Sequence, residues 1–170
     1  MAKTKSDISN SAIRIFLQKV GEFYDKTRGF EKFTPTKKQA MELLVYFNNK
    51  CCYCGEEITL KDYSQDHIIP MNKEHLGLHA WGNVIPCCRR CNNAKQQKNW
   101  EPFLKQKSDE KEFNQRKSLI TLFIKEKKYD PALDLNKIAG NLYEDIGEVA
   151  MTLINLRYKQ AEEVIQKLQS

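Results

Sequence analysis

No run in this chain approaches the roughly 18 uncharged apolar residues that a membrane span requires. The opening MAKTKSDISN carries charges with no apolar stretch behind them, so a secretory leader is not expected either. The expectation is an unexported, cytoplasmic protein without a membrane partner. Internal repeats and low-complexity tracts are missing too, which removes solenoids and biased tails from consideration. The weak hydrophobicity of a disordered chain is also absent: 41% of the 170 residues are hydrophobic and 29% charged. That is enough for one packed domain with helical additions and too little chain for a large multidomain assembly. Six cysteines without a leader argue against a disulfide framework, because a reducing cytosol keeps thiols free; metal ligation is the expected use.

Charge of neither sign dominates. The net +6 lies entirely in residues 1–106, which hold 17 basic and 11 acidic side chains, while residues 107–170 hold 11 of each. Such a surplus fits a polyanionic partner, but ordinary solvated surfaces carry as much, so the motifs have to decide.

Along residues 8–24, Ile13, Phe16, Leu17, Val20, Phe23 and Tyr24 recur at steps of three and four, the apolar stripe of a helix. Thr34-Pro35-Thr36 signals a second helix start, with Ala40, Leu43, Leu44 and Phe47 at i, i+3, i+4 and i+7 running toward Cys51. From Cys51 to about Trp100 the periodicity fades, and Gly55, Pro70, Gly77, Gly82 and Pro86 separate short runs such as His67-Ile68-Ile69 and Val84-Ile85. Two short strands, loops and a following helix are predicted there. Helix returns beyond Pro102 with a break near Tyr129-Asp130-Pro131. A long final helix follows, in which Leu142, Ile146, Val149, Leu153 and Leu156 advance by alternating fours and threes. That spacing suits pairing with another helix, but the run is short for a coiled coil and packing within its own domain is the stronger reading. The division predicted is an N-terminal helical segment 1–50, a core 51–106 and a C-terminal helical segment 107–170.

Cys51 and Cys54 form one Cys-x-x-Cys, and Cys88 and Cys91 form another 33 residues on. Two such pairs indicate a zinc site, because zinc takes four soft ligands in a tetrahedron and each turn delivers two thiolates to one ion. With four protein sulfurs the ion has no open position for substrate, so it is expected to be structural. Its tetrathiolate would carry −2 and reduce the net charge to about +4. Cys52 and Cys87 break the spacing and are expected as buried small hydrophobes.

Between and after the cysteine pairs stand Asp66-His67-Ile68-Ile69-Pro70, then Asn83-Val84-Ile85-Pro86, then Cys88-x-x-Cys91-Asn92-x-x-Lys95. In this order the segments resemble the HNH endonucleases over about residues 51–100. The resemblance implies an α+β fold, a ββα-metal core braced by a four-cysteine zinc and flanked here by helices. It further implies His67 as general base, Asn83 as the residue orienting its ring, and Asp66 and Asn92 as ligands of a catalytic divalent ion. Many members have His where Asn92 stands; a neutral amide oxygen favours Mg²⁺ or Mn²⁺ over softer ions.

Physical reasoning reaches similar roles. Phosphodiester hydrolysis needs a water made nucleophilic, and an imidazole titrating near neutrality suits that task. It also needs positive charge against the phosphate and the departing oxygen, which a hard cation on oxygen ligands supplies. Asp66, adjacent to His67 on a strand, would point to the opposite face. Lys95, one turn after Asn92, is expected either at a phosphate or as a solvated lysine. Arg89 and Arg90 suit the DNA backbone, since guanidinium grips phosphate bidentately. His75 and His79 match no motif and are expected as loop side chains; Trp81 and Trp100 are expected as apolar anchors.

The expected function is a metal-dependent DNA endonuclease of restriction, homing or phage/defence type. Duplex DNA would be its partner, structural Zn²⁺ and catalytic Mg²⁺ or Mn²⁺ its cofactors, and the last helix a route to a homodimer. The rival is a nonenzymatic zinc module that binds nucleic acid. It explains the cysteines and the charge, but not the joint arrival of Asp66-His67, Asn83 and Asn92. A nuclease acting on RNA or structured DNA would keep the same residues, and no base-reading motif separates these substrates.

Overall fold

The computed structural model describes residues 4–169, the side chains of 137–138 and 166–169 aside. Its helices are α1 (Lys5–Thr27), α2 (Lys37–Tyr46), α3 (Arg89–Lys95), α4 (Trp100–Gln106), α5 (Glu110–Glu126), α6 (Asn136–Ala139) and α7 (Leu142–Gln169). Between α2 and α3 lie strands β1 (Tyr63–His67) and β2 (Val84–Cys88), paired antiparallel with Asp66 opposite Ile85 and His67 opposite Val84. The architecture is mostly helical around a ββα unit, the α+β class read from the sequence. No helix among the described residues is long and apolar enough to cross a membrane.

Local chemistry sets the ends of these elements. Thr36 caps α2 by accepting the Gln39 N–H, and α5 opens on a capping box in which Asp109 and Glu112 each accept the other's backbone N–H. The second helix was expected to run toward Cys51. It ends at Tyr46 because Asn48 and Asn49 both turn left-handed, with φ of 55° and 54°, a conformation asparagine tolerates better than most residues. Ile68 and Ile69, read as strand, lie beyond β1: their N–H groups go to the Asn83 carbonyl and side-chain oxygen, each at 2.8 Å.

Two compact units make up the chain, one of Leu17–Leu133 and one of Met1–Phe16 with Asp134–Ser170; α1 contributes to both. In the first, the apolar core joins Leu43, Leu44 and Phe47 of the α2 region to Val84 and Ile85 of β2, to Phe103 of α4 and to Ile120 and Phe123 of α5. This core therefore draws on chain before and after residues 51–106. Trp81 is buried as an anchor, its indole N–H donating to the Glu31 carbonyl and its ring edge-on to Phe33. Asp25, fully buried, accepts from the Phe33 and Trp81 N–H groups and pairs with Arg28; burial nevertheless raises its carboxyl above the usual range. In the second unit, α7 lies close along the start of α1. A Cβ on Gly147 would come within 2.4 Å of Ser9 Oγ, and Lys5 pairs with Glu148 at 3.2 Å.

Candidate active site and metal cage

The zinc motif is a cage of four sulfurs. Cys51, Cys54, Cys88 and Cys91 place their Sγ atoms within 4.8 Å of one another, and Cys54 and Cys88 are 3.8 Å apart. Tetrahedral zinc with bonds near 2.3 Å needs sulfurs about 3.8 Å apart, so the donor set fits such an ion. The first turn closes through Gly55, whose φ of 72° suits glycine and whose N–H meets the Cys51 carbonyl at 2.9 Å. The second turn is the start of α3, where Cys88 caps the helix and accepts from Cys91 N–H. Burial pushes the Cys51 thiol up to about 11 and raises Cys91 as well. Burial acts upward on Cys54 too, but hydrogen bonds from the Glu56 backbone and the neighbouring thiols outweigh it and lower its pKa. Crowded sulfurs that resist ionising together are the set a dication completes. Cys52 and Cys87 are buried outside the cage.

Strand alternation separates Asp66 from His67. Asp66 faces α3 and is 5% exposed. One of its oxygens meets Lys95 Nζ at 3.0 Å and the Tyr53 hydroxyl at 2.5 Å, and the other lies 3.4 Å from Lys95. Lys95 does not present itself to a phosphate or to solvent, the two roles expected of it. It is fully buried and spends a further hydrogen bond on the His67 carbonyl at 2.9 Å. The cause is local: one turn after Asn92, its side chain is directed at β1, where a buried carboxylate requires a counter-charge. Burial raises the Asp66 pKa, with Lys95 and Tyr53 pulling the other way.

Asn92 stands on the same face of α3 and donates its amide nitrogen to Ser64 Oγ at 2.8 Å. Asp66 and Asn92 are oxygen-bearing side chains on facing elements, the donor type Mg²⁺ or Mn²⁺ takes; both Asp66 oxygens already lie against Lys95, so a cation there would share the carboxylate with that ammonium. Arg89 and Arg90 are exposed in the first turn of α3, and Arg90 pairs with Glu56 at 3.0 Å.

Asn83, fully buried, closes the neck of the connection between the strands. Its amide nitrogen donates to the carbonyls of Ile69 (3.1 Å) and Leu78 (2.8 Å), and its oxygen accepts from Ile69 N–H (2.8 Å). It therefore braces the backbone beside His67 and beside His79. The ring of His67 meets a side chain the motifs did not select: its Nε2 lies 3.0 Å from Nδ1 of His79. His79 is half-buried against the edge of Phe33, and burial holds it below the usual imidazole pKa. The only signal in the sequence was a histidine four residues before Asn83. His75 remains a loop side chain, bonded to Asn72.

Comparison with known proteins points to the same segment. Residues 51–108 match the family model described as HNH endonuclease. A similar protein is YoqL of Bacillus subtilis (strain 168), derived from the SPbeta prophage and named provisionally as an HNH endonuclease; it is 32% identical over 76 residues. The match takes in 38% of this chain and 31% of the relative, so the chain spans about a third of that protein's length.

Proposed function

We propose that this chain, whose residues 51–108 carry the HNH endonuclease pattern, is a metal-dependent DNA endonuclease with His67 as general base. The observation that carries this reading is a coincidence within one ββα unit. His67 ends β1, Asp66 on β1 and Asn92 on α3 stand on facing elements, Asn83 bonds across the connecting loop, and the sulfur cage includes the start of α3. A zinc module that only binds would need the cage and none of the rest.

In the proposed step the His67 ring takes a proton from water as the water oxygen attacks phosphorus. The bond to the 3′ oxygen breaks, leaving a 5′-phosphate and a 3′-hydroxyl once solvent protonates the departing oxygen. A hard divalent cation held by Asp66 and Asn92 would supply positive charge to the phosphate and the departing oxygen. Lys95 braces Asp66 from within, and contact with backbone phosphates falls to Arg89 and Arg90. Among biological settings, a phage-borne one is favoured by the likeness to a prophage-derived protein.

Self-association through α7 belongs to the same reading. Val149, Leu153 and Leu156 are 60%, 56% and 51% exposed. In an antiparallel pair of α7 helices centred near Met151, Val149 of one copy faces Leu153 of the other and Asp145 comes beside Lys159. Two copies would carry two cutting centres, one for each strand of a duplex.

The test is conversion of supercoiled plasmid by the zinc-loaded protein with Mg²⁺, Mn²⁺ or EDTA, run beside His67→Ala. Metal-dependent nicking or linearisation that falls about 10²- to 10⁴-fold in the variant, with an unchanged melt, is expected. Intact plasmid under every metal, from folded protein, would turn the reading toward the binding module.

A further inference from the structure

The contact between His67 and His79 is absent from the motif pattern, and it bears on which nitrogen of His67 is basic. Their facing nitrogens are 3.0 Å apart, with the ring centroids 5.3 Å apart and tilted by 48°. A separation of 3.0 Å calls for one proton between the nitrogens. There are two ways to place it. If His67 donates from Nε2, both rings are in the Nε2–H tautomer that neutral imidazole side chains intrinsically favour, and the lone pair of His67 is on Nδ1. If His79 donates from Nδ1, both rings are in the disfavoured Nδ1–H tautomer and His67 has no basic nitrogen left. The first arrangement alone also tolerates a proton arriving on His67, because the resulting imidazolium donates to a neutral acceptor instead of confronting another N–H.

The seat of His79 is rigid. Its neighbour Leu78 gives its carbonyl to the Asn83 amide, and its ring meets the edge of Phe33 at 5.0 Å. On its backbone side α1 passes so close that a Cβ on Gly21 would sit 2.4 Å from the His79 carbonyl oxygen. Burial lowers the pKa of the ring, against the pull of the Glu22 carboxylate, which suits it to the role of acceptor.

We propose that His79 is a positioning residue for the general base: by accepting Nε2–H of His67 at its own Nδ1, it fixes the ring and makes Nδ1 of His67 the proton acceptor. This rests on the reading of His67 as the base.

The experiment uses the zinc-loaded full chain in three variants, His67→Ala, His79→Leu and His79→Asn, each with plasmid cleavage kinetics. The tautomer of His67 is read by ¹⁵N nuclear magnetic resonance in wild type and in the His79 variants. His79→Leu should lower kcat about 10- to 100-fold, the usual effect of removing such an orienting partner, with KM for DNA unchanged. His79→Asn, which can place an amide oxygen near the lost Nδ1, should recover most of it. Wild type should show His67 protonated at Nε2, and His79→Leu a mixture of tautomers. Wild-type kcat in His79→Leu beside an inactive His67→Ala overturns the role of His79 and leaves the base assignment standing. Full cleavage by His67→Ala overturns the base assignment and this role with it. Should His79→Leu fail to fold, the wild-type spectrum still decides, because His67 protonated at Nδ1 overturns the proposal without any variant.

Discussion

The buried pair of Lys95 and Asp66 sets the largest single-residue cost in the site. Both side chains are almost wholly withdrawn from water, so removing one leaves the other as an uncompensated charge in a poor solvent for charge. Such a break costs about 3–5 kcal/mol. Lys95→Met should therefore lower the urea midpoint sharply, while Asp66→Asn combined with Lys95→Met should cost less than the two single changes added together. Strict additivity across that cycle would mean the two groups do not depend on each other. His79 makes a pH prediction. Its folded pKa is held below 6.5 by burial, so the unfolded chain takes up the proton first. The stabilisation is complete above about 6.5 and is lost as pH falls through the folded value. Wild type should lose more stability between pH 7 and 5 than His79→Asn, as measured by urea melts at each pH; parallel curves would show that the His79 ring is not shielded as its burial implies.

At the scale of elements the ββα unit depends on the cage, because two short strands and a seven-residue helix have little cooperative strength alone. Chelating the ion should lower the melting temperature and unfold the region of residues 51–100, since metal binding at such sites contributes folding free energy directly. Cys54→Ser should lose zinc by metal analysis and melt early, whereas Cys52→Ser, changed at a buried thiol outside the cage, should keep one zinc per chain. Equal zinc loss in both would put the cage ligands in question. How much of this was legible follows from what each feature depends on. The cage could be read because a Cys-x-x-Cys turn is local and its spacing alone places two sulfurs. The alternation of Asp66 and His67 could be read because it is a property of any strand. The burial of Lys95 could not: helical spacing gives the direction of a side chain, while its depth depends on β1 lying across α3. The end of β1 at His67 was hidden for a similar reason, since the groups that take over Ile68 and Ile69 belong to Asn83, fourteen residues beyond Ile69. His79 was visible as a residue but not as a partner, because its meeting with His67 is made by the closure of the connecting loop and by the approach of α1 at Gly21.

For the whole molecule, the decisive feature outside the ββα unit is α7. Residues 152–165 of that helix are all exposed, with Leu153, Ile154, Leu156, Tyr158, Val164 and Ile165 each at least half exposed. So much apolar surface on one helix is what an interaction face would present. A second copy is the occupant its charges suit, since antiparallel pairing sets Asp145 beside Lys159 twice, once on each side of the two-fold axis. Parallel pairing at the same apolar seam brings Asp145 near Ala150 and Lys159 near Val164, so it gains nothing from those charges. Sedimentation of the zinc-loaded protein at micromolar concentration should show a dimer. Each buried leucine is worth about 1.5–3 kcal/mol and Leu153 is buried twice per dimer, so Leu153→Glu should weaken association by about 100-fold or more. Asp145→Lys alone should also weaken it, and adding Lys159→Asp should restore it, a compensation that parallel pairing does not give. The functional consequence is read on the plasmid. A dimer with two centres converts supercoiled DNA to linear in step with nicking, whereas Leu153→Glu should accumulate nicked circles and linearise late. A wild-type monomer at these concentrations, or linearisation unaffected by Leu153→Glu, would remove α7 from the cutting of the second strand and return its apolar face to a partner of another kind.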